Sequence, residues 1–158
     1  MAGQKPLAVR VLEQRNVPFE LFEFDSSIRS ADEVARATGM PPETVFKTLV
    51  IEQEPPRRKP FLLMMPSSEE VDLKVLADSL GLKRVRMASH ADAERHTGLK
   101  VGGISLLALL SRGFTALIDE SAVAIDEILV SAGQRGREVR LAVRDLLMLT
   151  GAMPVRTH

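Results

Sequence analysis

The sequence predicts a mixed α+β fold in which helices pack around one curved, mixed β-sheet. The first observation is that strand-like apolar runs and amphipathic helical segments intermingle without the regular βαβ alternation of parallel α/β proteins. The second is that the helical segments carry their own capping residues. The chain has 158 residues, which is enough for one domain with a substantial core. We therefore expect a single domain over residues 1–158.

Helices are predicted where apolar spacing coincides with start and stop signals. Ser30 is a candidate N-cap, and Glu33, three residues later, completes a capping box. Gly39 follows the end of the same helical pattern, where a left-handed residue is favoured. A short helical turn is expected from the two prolines at 41–42. The predicted helices span residues 7–15, 31–38, 72–80, 89–96 and 142–149.

Strands are predicted where β-branched, aromatic and aliphatic residues cluster between turn residues. The proline-rich and charged residues 54–60 separate two such runs and predict a hairpin. Residues 133–136, with a glycine at each end, predict a second turn. The predicted strands span residues 19–24, 45–51, 61–65, 83–87, 114–119, 127–131 and 138–143.

Composition excludes several classes of protein. Lys plus Arg and Asp plus Glu both number 21, so the net charge is zero, which argues against a protein that coats long nucleic acid but allows contact with the end of one. The absence of Cys removes disulfides, thiolate catalysis and Cys-ligated metals. His90 and His96 are six residues apart and do not share a helix face. We expect no metal, no cofactor and no Ser-His-Asp triad.

No apolar run approaches the roughly 20 residues of a transmembrane helix, and residues 1–6 lack the apolar core of a signal peptide. We therefore expect a soluble cytoplasmic protein that does not bind a membrane.

Lys47 is the exception in an otherwise apolar strand. Residues 45–51 are apolar on both faces, as in a strand that is buried on both sides. A buried ammonium is costly without a partner, so the Lys47 side chain must reach water, a carboxylate or an anionic ligand. The ordinary alternative is a lysine that extends past its neighbours to solvent.

Two turns contain further chemical groups. In Gly102-Gly103-Ile104-Ser105, paired glycines allow backbone N–H groups to approach a ligand, although the Lys-Ser/Thr of a Walker loop is absent. Residues 131–138 combine a hydroxyl, cations and a carboxylate. The simpler interpretation of each is a tight surface turn. The basic triplet at 57–59 is a solvated loop or a phosphate contact.

Taken together, these segments resemble a known family. The runs at 45–49, 96–105, 117–119 and 130–136 occur in the order seen in the YbaK/ProX family, aminoacyl-tRNA deacylases that are related to the editing domain of bacterial prolyl-tRNA synthetases. The resemblance covers residues 7–151. It implies a barrel-like mixed sheet ringed by helices. It also implies hydrolysis of the ester between a mischarged small amino acid, such as Cys or Ala, and the terminal adenosine of tRNA for proline.

The resemblance also implies roles for individual residues. Lys47 would hold the phosphate or ribose of the terminal adenosine and offset developing negative charge. Backbone N–H groups of residues 103–105 would form an oxyanion hole. The attacking group would be a bound water, or the substrate's own neighbouring hydroxyl or thiol would assist. The implied catalytic residues are Lys47, Gly103, Ile104 and Ser105. The implied substrate-binding residues are Phe24, Thr48, Gly102, Leu106, Ser131, Gly133, Arg135 and Glu138.

This chain departs from the family pattern near the expected pocket. Leu106 stands where the family has proline and Ala108 where it has glycine, while Phe24 replaces a common tyrosine and Ala132 a glycine. These departures favour one alternative, a module that binds tRNA or a nucleotide without hydrolysis. A second alternative is a domain that acts only when it is docked on a synthetase.

The implied partners are the acceptor end of aminoacyl-tRNA and prolyl-tRNA synthetase. The candidate contacts to the acceptor stem are Arg57, Arg58, Lys59, Lys83, Arg84 and Arg86.

Overall fold

The computed structural model describes residues 4–56 and 59–158. In these residues the α-helices are α1 (Leu7–Gln14), α2 (Ala31–Thr38), α3 (Leu73–Leu80), α4 (His90–Thr97) and α5 (Val143–Thr150). The strands are β1 (Glu20–Glu23), β2 (Phe46–Gln53), β3 (Phe61–Pro66), β4 (Val85–Met87), β5 (Thr115–Asp119), β6 (Glu127–Gln134), β7 (Arg137–Ala142) and β8 (Met153–Val155). Short 3₁₀ turns span Pro42–Thr44, Leu107–Arg112 and Glu120–Ala124.

The strands form two sheets. One has the order β1-β7-β6 and is antiparallel throughout. The other has the order β4-β2-β3-β5-β8, in which β4, β2 and β3 are antiparallel while β3, β5 and β8 are parallel. The predicted mixed α+β class is confirmed. The two sheets do not close into a barrel, and an isolated parallel bridge between Val45 and Leu129 joins them.

The predicted helices are confirmed to within one or two residues. The Ser30 hydroxyl accepts a hydrogen bond from the Glu33 N–H at 3.1 Å and donates one to Glu33 Oε1 at 3.0 Å, so Ser30 caps α2 as predicted. α2, α3, α4 and α5 all end at a glycine in the left-handed conformation. No helix in residues 4–56 and 59–158 combines the length and the hydrophobicity needed to cross a membrane.

The strands differ from the prediction mainly at their ends. β4 is restricted to three residues, and β6 continues to Gln134 through an irregular register. The short strand β8 was not predicted. It pairs in parallel with β5, and three residues are too few to show a periodicity of two.

Strands β2 and β3 are buried on both faces, as their apolar runs predict. Leu62 and Met64 face a large core that includes α1, whereas Leu63 and Met65 face a smaller core that includes α3. A third cluster packs α2 against Val45, immediately before β2. The N-terminal end of β2 therefore lies where the two sheets and α2 meet, and Lys47 is placed at this junction.

Candidate functional site

A cavity of about 240 Å³ opens at this junction. The start of β2 forms its floor, and the segment between β1 and α2 forms one wall. The glycine loop before the second 3₁₀ turn and the turn between β6 and β7 form the remaining walls. The lining residues are Phe24, Ser26, Ile28, Arg29, Val34, Val45, Phe46, Lys47, Thr48, Leu49, Ser67, Val101, Gly102, Ile104, Ser131, Arg135, Gly136 and Glu138.

Most of the residues proposed from the sequence meet in this one cavity, although they come from four separate segments. Those that line it are Phe24, Lys47, Thr48, Gly102, Ile104, Ser131, Arg135 and Glu138. Within the described ranges, the proposed residues that do not line it are Gly103, Ser105, Leu106 and Gly133.

Lys47 is half-buried and reaches a partner other than those expected. Its Nζ donates a hydrogen bond to the backbone carbonyl of Glu69 at 2.7 Å. Burial lowers the pKa of the ammonium, and the nearby carboxylates of Glu70 and Glu69 partly oppose this effect. An ammonium has three donors, so the two that the carbonyl does not use remain for water or a ligand in the cavity.

The glycine loop is pressed against the turn between β6 and β7. A Cβ on Gly103 would lie 3.0 Å from the backbone nitrogen of Arg135, so a side chain has no room there. Gly102 has a φ of +92°, and the Arg135 side chain passes over it to donate from Nε to the carbonyl of Val101 at 2.8 Å. The glycines therefore permit two backbone segments to meet at the edge of the cavity.

The structure corrects the predicted oxyanion hole. The Gly103 N–H donates to the Lys100 carbonyl at 2.8 Å and closes a turn, so it is not free for a substrate. Within residues 4–56 and 59–158, the backbone N–H groups of Ile104 and Ser105 have no hydrogen-bond partner. The Ser105 side chain is buried, and its Oγ accepts from the Ala108 N–H at 3.2 Å. Two of the three predicted donors therefore remain available.

Leu106 and Ala108 lie behind the glycine loop. Leu106 is 4% exposed, belongs to the main core and does not line the cavity. The Ala108 Cβ is 3.6 Å from the position that a Cβ of Gly133 would occupy. These two departures from the family pattern therefore lie beneath the site and not among the residues that line the cavity.

Glu138, near the start of β7, is the cross-strand partner of Ser131 on β6. The Glu138 side chain faces the cavity, and among the described residues it has no ion-pair partner. Burial raises the pKa of Glu138 to about 8. The carboxyl group is therefore largely protonated at neutral pH and is able to donate a hydrogen bond.

Sequence reasoning missed several lining residues, of which Arg29 and Ser26 are polar and come from the same wall. In the sequence, Arg29 stands directly before the N-cap Ser30, so it was assigned only to the start of a helix. No sequence signal showed that this helix begins beside Lys47, because the two are brought together only by the packing of α2 against Val45.

Of the basic candidates for the acceptor stem, the four in the described residues, Lys59, Lys83, Arg84 and Arg86, do not line the cavity. Lys59 bonds to the carbonyl of Arg112 and lies 5.4 Å from the ring of Phe114. Arg86 pairs at 3.1 Å with Glu52, which is five residues along β2 from Lys47, or about 17 Å at the rise of a strand. Arg57 and Arg58 lie outside the described residues, and Lys83 and Arg84 are exposed.

Comparisons with known proteins identify the family of this chain. The family model "Aminoacyl-tRNA editing domain" matches residues 25–149. A protein of Enterococcus faecalis is 36% identical over 149 residues, which is 93% of this chain and 89% of that protein. It is named as a candidate Cys-tRNA(Pro)/Cys-tRNA(Cys) deacylase, EbsC.

Solved structures show the same fold. One, described as a candidate trans-editing enzyme for prolyl tRNA synthetase, superposes with a TM-score of 0.82 at 26% identity and covers 98% of both chains. Another, a hypothetical protein, has a TM-score of 0.83 at 19% identity and covers 96% of this chain and 98% of its own. The chain therefore belongs to the aminoacyl-tRNA editing domain family.

Proposed function

We propose that the protein is a trans-editing hydrolase that cleaves the ester between a mischarged amino acid and the terminal adenosine of tRNA. The observation that carries the proposal is the single cavity in which Lys47, the loop with the N–H groups of Ile104 and Ser105, and the protonated Glu138 meet. The name of the E. faecalis relative supports Cys-tRNA(Pro) as the first substrate to test, with Ala-tRNA(Pro) as the next.

The size of the cavity supports a small amino acid. Its volume of about 240 Å³ is below the range of about 300–1,000 Å³ that is usual for drug-sized ligands. Phe24, Ile28 and Val34 give it an apolar wall. Such a pocket admits an aminoacyl group with a short side chain and leaves most of the nucleotide outside. Selection is then by size, for which one methylene group is worth about 1–3 kcal/mol.

The mechanism that we propose depends on position and charge. A bound water attacks the ester carbonyl carbon, and the carbonyl oxygen gains negative charge. The N–H groups of Ile104 and Ser105 stabilise that charge, and the two free donors of Lys47 hold the ribose or phosphate of the terminal adenosine. The protonated Glu138 donates a hydrogen bond to a substrate oxygen. The C–O bond of the ester then breaks, and the ribose oxygen leaves as a hydroxyl group with the proton that the attacking water gives up.

The proposal extends to the setting of the reaction. The structural relative described as acting for prolyl tRNA synthetase supports that synthetase as a functional partner of this chain. We place the activity in the cytoplasm, where tRNA is charged.

The test compares the parent protein with Lys47→Ala on tRNA(Pro) charged with Cys, Ala, Ser or Thr, with Pro-tRNA(Pro) as the correctly charged control. We expect release of one mischarged amino acid and a loss on the order of 100-fold in Lys47→Ala. Lys74→Ala, at an exposed position on α3, is the matched control and should retain full activity. Equal rates for the parent and Lys47→Ala would contradict the proposed site. Binding of charged tRNA without hydrolysis by the parent would replace the enzyme by a binding module.

A further inference from the structure

The wall of the cavity between β1 and α2 holds a cation that the proposed mechanism does not use. Phe24, Ser26, Ile28 and Arg29 all line the cavity from this segment. Arg29 is exposed, whereas Lys47 and Glu138 are partly buried. Arg29 therefore lies nearer to solvent than the groups that would contact the ester.

The backbone of this wall is held firmly. The Phe24 N–H donates to the Gly136 carbonyl at 2.9 Å, and a Cβ on Gly136 would lie only 2.5 Å from the Phe24 carbonyl oxygen. Asp25 accepts from the N–H groups of Ser27 and Ile28 at 2.8 and 2.9 Å. On the other side of Arg29, the N-cap Ser30 begins α2. The backbone at Arg29 is thus fixed, while its side chain is free to reach a ligand.

Arg29 differs from the other cations of the lining in its partners. Lys47 donates to the Glu69 carbonyl, and Arg135 donates to the Val101 carbonyl. Over residues 4–56 and 59–158, the guanidinium of Arg29 makes no hydrogen bond and no ion pair. A planar fork of five donors is therefore available at the mouth of the cavity.

The charge of the lining favours an anion. Its cations are Arg29, Lys47 and Arg135, and its one carboxyl group is Glu138, while the carboxylates of Glu69 and Glu70 lie near Lys47 outside the lining. Because burial raises the pKa of Glu138 to about 8, that carboxyl carries little negative charge at neutral pH. The chain as a whole has a net charge of zero, so this positive charge is a local property of the cavity.

We propose that Arg29 binds the phosphodiester on the 5′ side of the terminal adenosine and so positions the acceptor end over the cavity. This inference rests on the proposed function, which places the ester beside Ile104 and Ser105. The ribose and its 5′ phosphodiester then follow toward the mouth, where the exposed Arg29 lies. A guanidinium matches two phosphate oxygens with two parallel hydrogen bonds. Arg29 is a positioning residue, because it contacts the nucleotide and not the ester.

The test uses two substrates with the same ester. Cys-tRNA(Pro) carries the phosphodiester, and 3′-O-cysteinyl-adenosine lacks it. We expect Arg29→Ala to lower kcat/KM for the charged tRNA by at least roughly 10-fold, the lower end of the effect of removing a hydrogen bond to a charged group. The same variant should cleave the adenosine ester at the parental rate. Arg29→Lys should retain part of the activity, because a point charge remains.

Binding supplies an independent readout. Fluorescence anisotropy with a labelled, uncharged minihelix that ends in CCA should show about 10-fold weaker binding for Arg29→Ala. The dependence of log K on log salt should lose a slope of about 0.7, as expected for one single-strand phosphate contact. Arg36→Ala is the matched control, since Arg36 is exposed on α2 and does not line the cavity.

The outcomes separate this inference from the proposed function. An equal loss on both esters, or parental binding of the minihelix by Arg29→Ala, overturns the phosphate contact. If the parent cleaves neither ester and Arg29→Ala alone binds the minihelix weakly, the proposed function fails and the phosphate contact stands. Weaker binding in both Arg29→Ala and Arg36→Ala would show a diffuse charge effect and would overturn the specific contact.

Discussion

Glu138 should make the free energy of unfolding fall as the pH rises. Its pKa is about 8 in the folded protein and 4.5 in the absence of burial. The folded state therefore holds the proton more tightly than the unfolded chain does. The contribution to stability is fully present below pH 4.5, falls as pH rises, and is lost once the pH passes 8. Glu138→Gln, which has nearly the shape of the protonated side chain, removes this dependence.

The magnitude follows from the two pKa values. One pH unit corresponds to about 1.36 kcal/mol for one proton, so Glu138 lowers the free energy of unfolding by at most about 2.7 kcal/mol between pH 6 and pH 9. Because the side chain keeps some contact with solvent, we expect about 1–2.5 kcal/mol. The parent should therefore lose this amount relative to Glu138→Gln over the same interval.

Urea denaturation at pH 6, 7, 8 and 9 measures the effect. The two proteins share every other titrating group, so the difference between their free energies of unfolding isolates Glu138. Glu127→Gln, at an exposed position on β6 of the same sheet, is the control and should follow the parent. If Glu138→Gln and the parent change in parallel from pH 6 to pH 9, Glu138 is ionised in the folded protein and the reasoning fails.

Two further predictions concern stability and are measured by denaturant midpoints. Gly136→Ala should cost more than about 3 kcal/mol, because φ is +81° and a Cβ would lie 2.5 Å from the Phe24 carbonyl oxygen. Gly39→Ala, with a similar φ of +76° and open space, should cost about 1–2 kcal/mol, and equal costs would contradict the steric argument. Glu52→Gln should cost about 1.5–3 kcal/mol, since the buried carboxylate accepts from an arginine and a histidine, both at 3.1 Å. The exposed Glu54→Gln should be neutral, and an unchanged midpoint for Glu52→Gln would show that this pair of contacts contributes nothing.

Local sequence signals predicted the elements well. Ser30 with Glu33, and the glycines after α2, α3, α4 and α5, marked helix ends because capping is satisfied within a few residues. The apolar runs of β2 and β3 predicted burial on both faces. The failures came where the partner is distant in sequence, as for β8, which exists only because it pairs with β5.

For the candidate site, too, the sequence showed the features that depend on local patterns and missed those that depend on distant contacts. Lys47, the glycine loop and the turn at 131–138 were recognised in the sequence because each combines unusual chemistry with a local pattern. The structure brings them to one cavity. Their roles there stay predictions, to be tested by Lys47→Ala. Leu106 was assigned to the pocket wall from its place in the motif, but its side chain packs into the core. A motif gives the order of residues along the chain and does not say which face of a loop each one occupies.

The sequence was sufficient to identify the secondary structure, the mixed α+β class and the editing-domain family, since these depend on periodicity, capping and the order of short motifs. Three features required the folded chain: the engagement of the Gly103 N–H with Lys100, the raised pKa of Glu138 and the placement of Arg29 beside Lys47. Each depends on distances between segments that are far apart in sequence. Burial and hydrogen bonding depend on those distances. Only when the two sheets and α2 pack together is it decided which N–H groups are available, which carboxyl group is charged and what shape the cavity has.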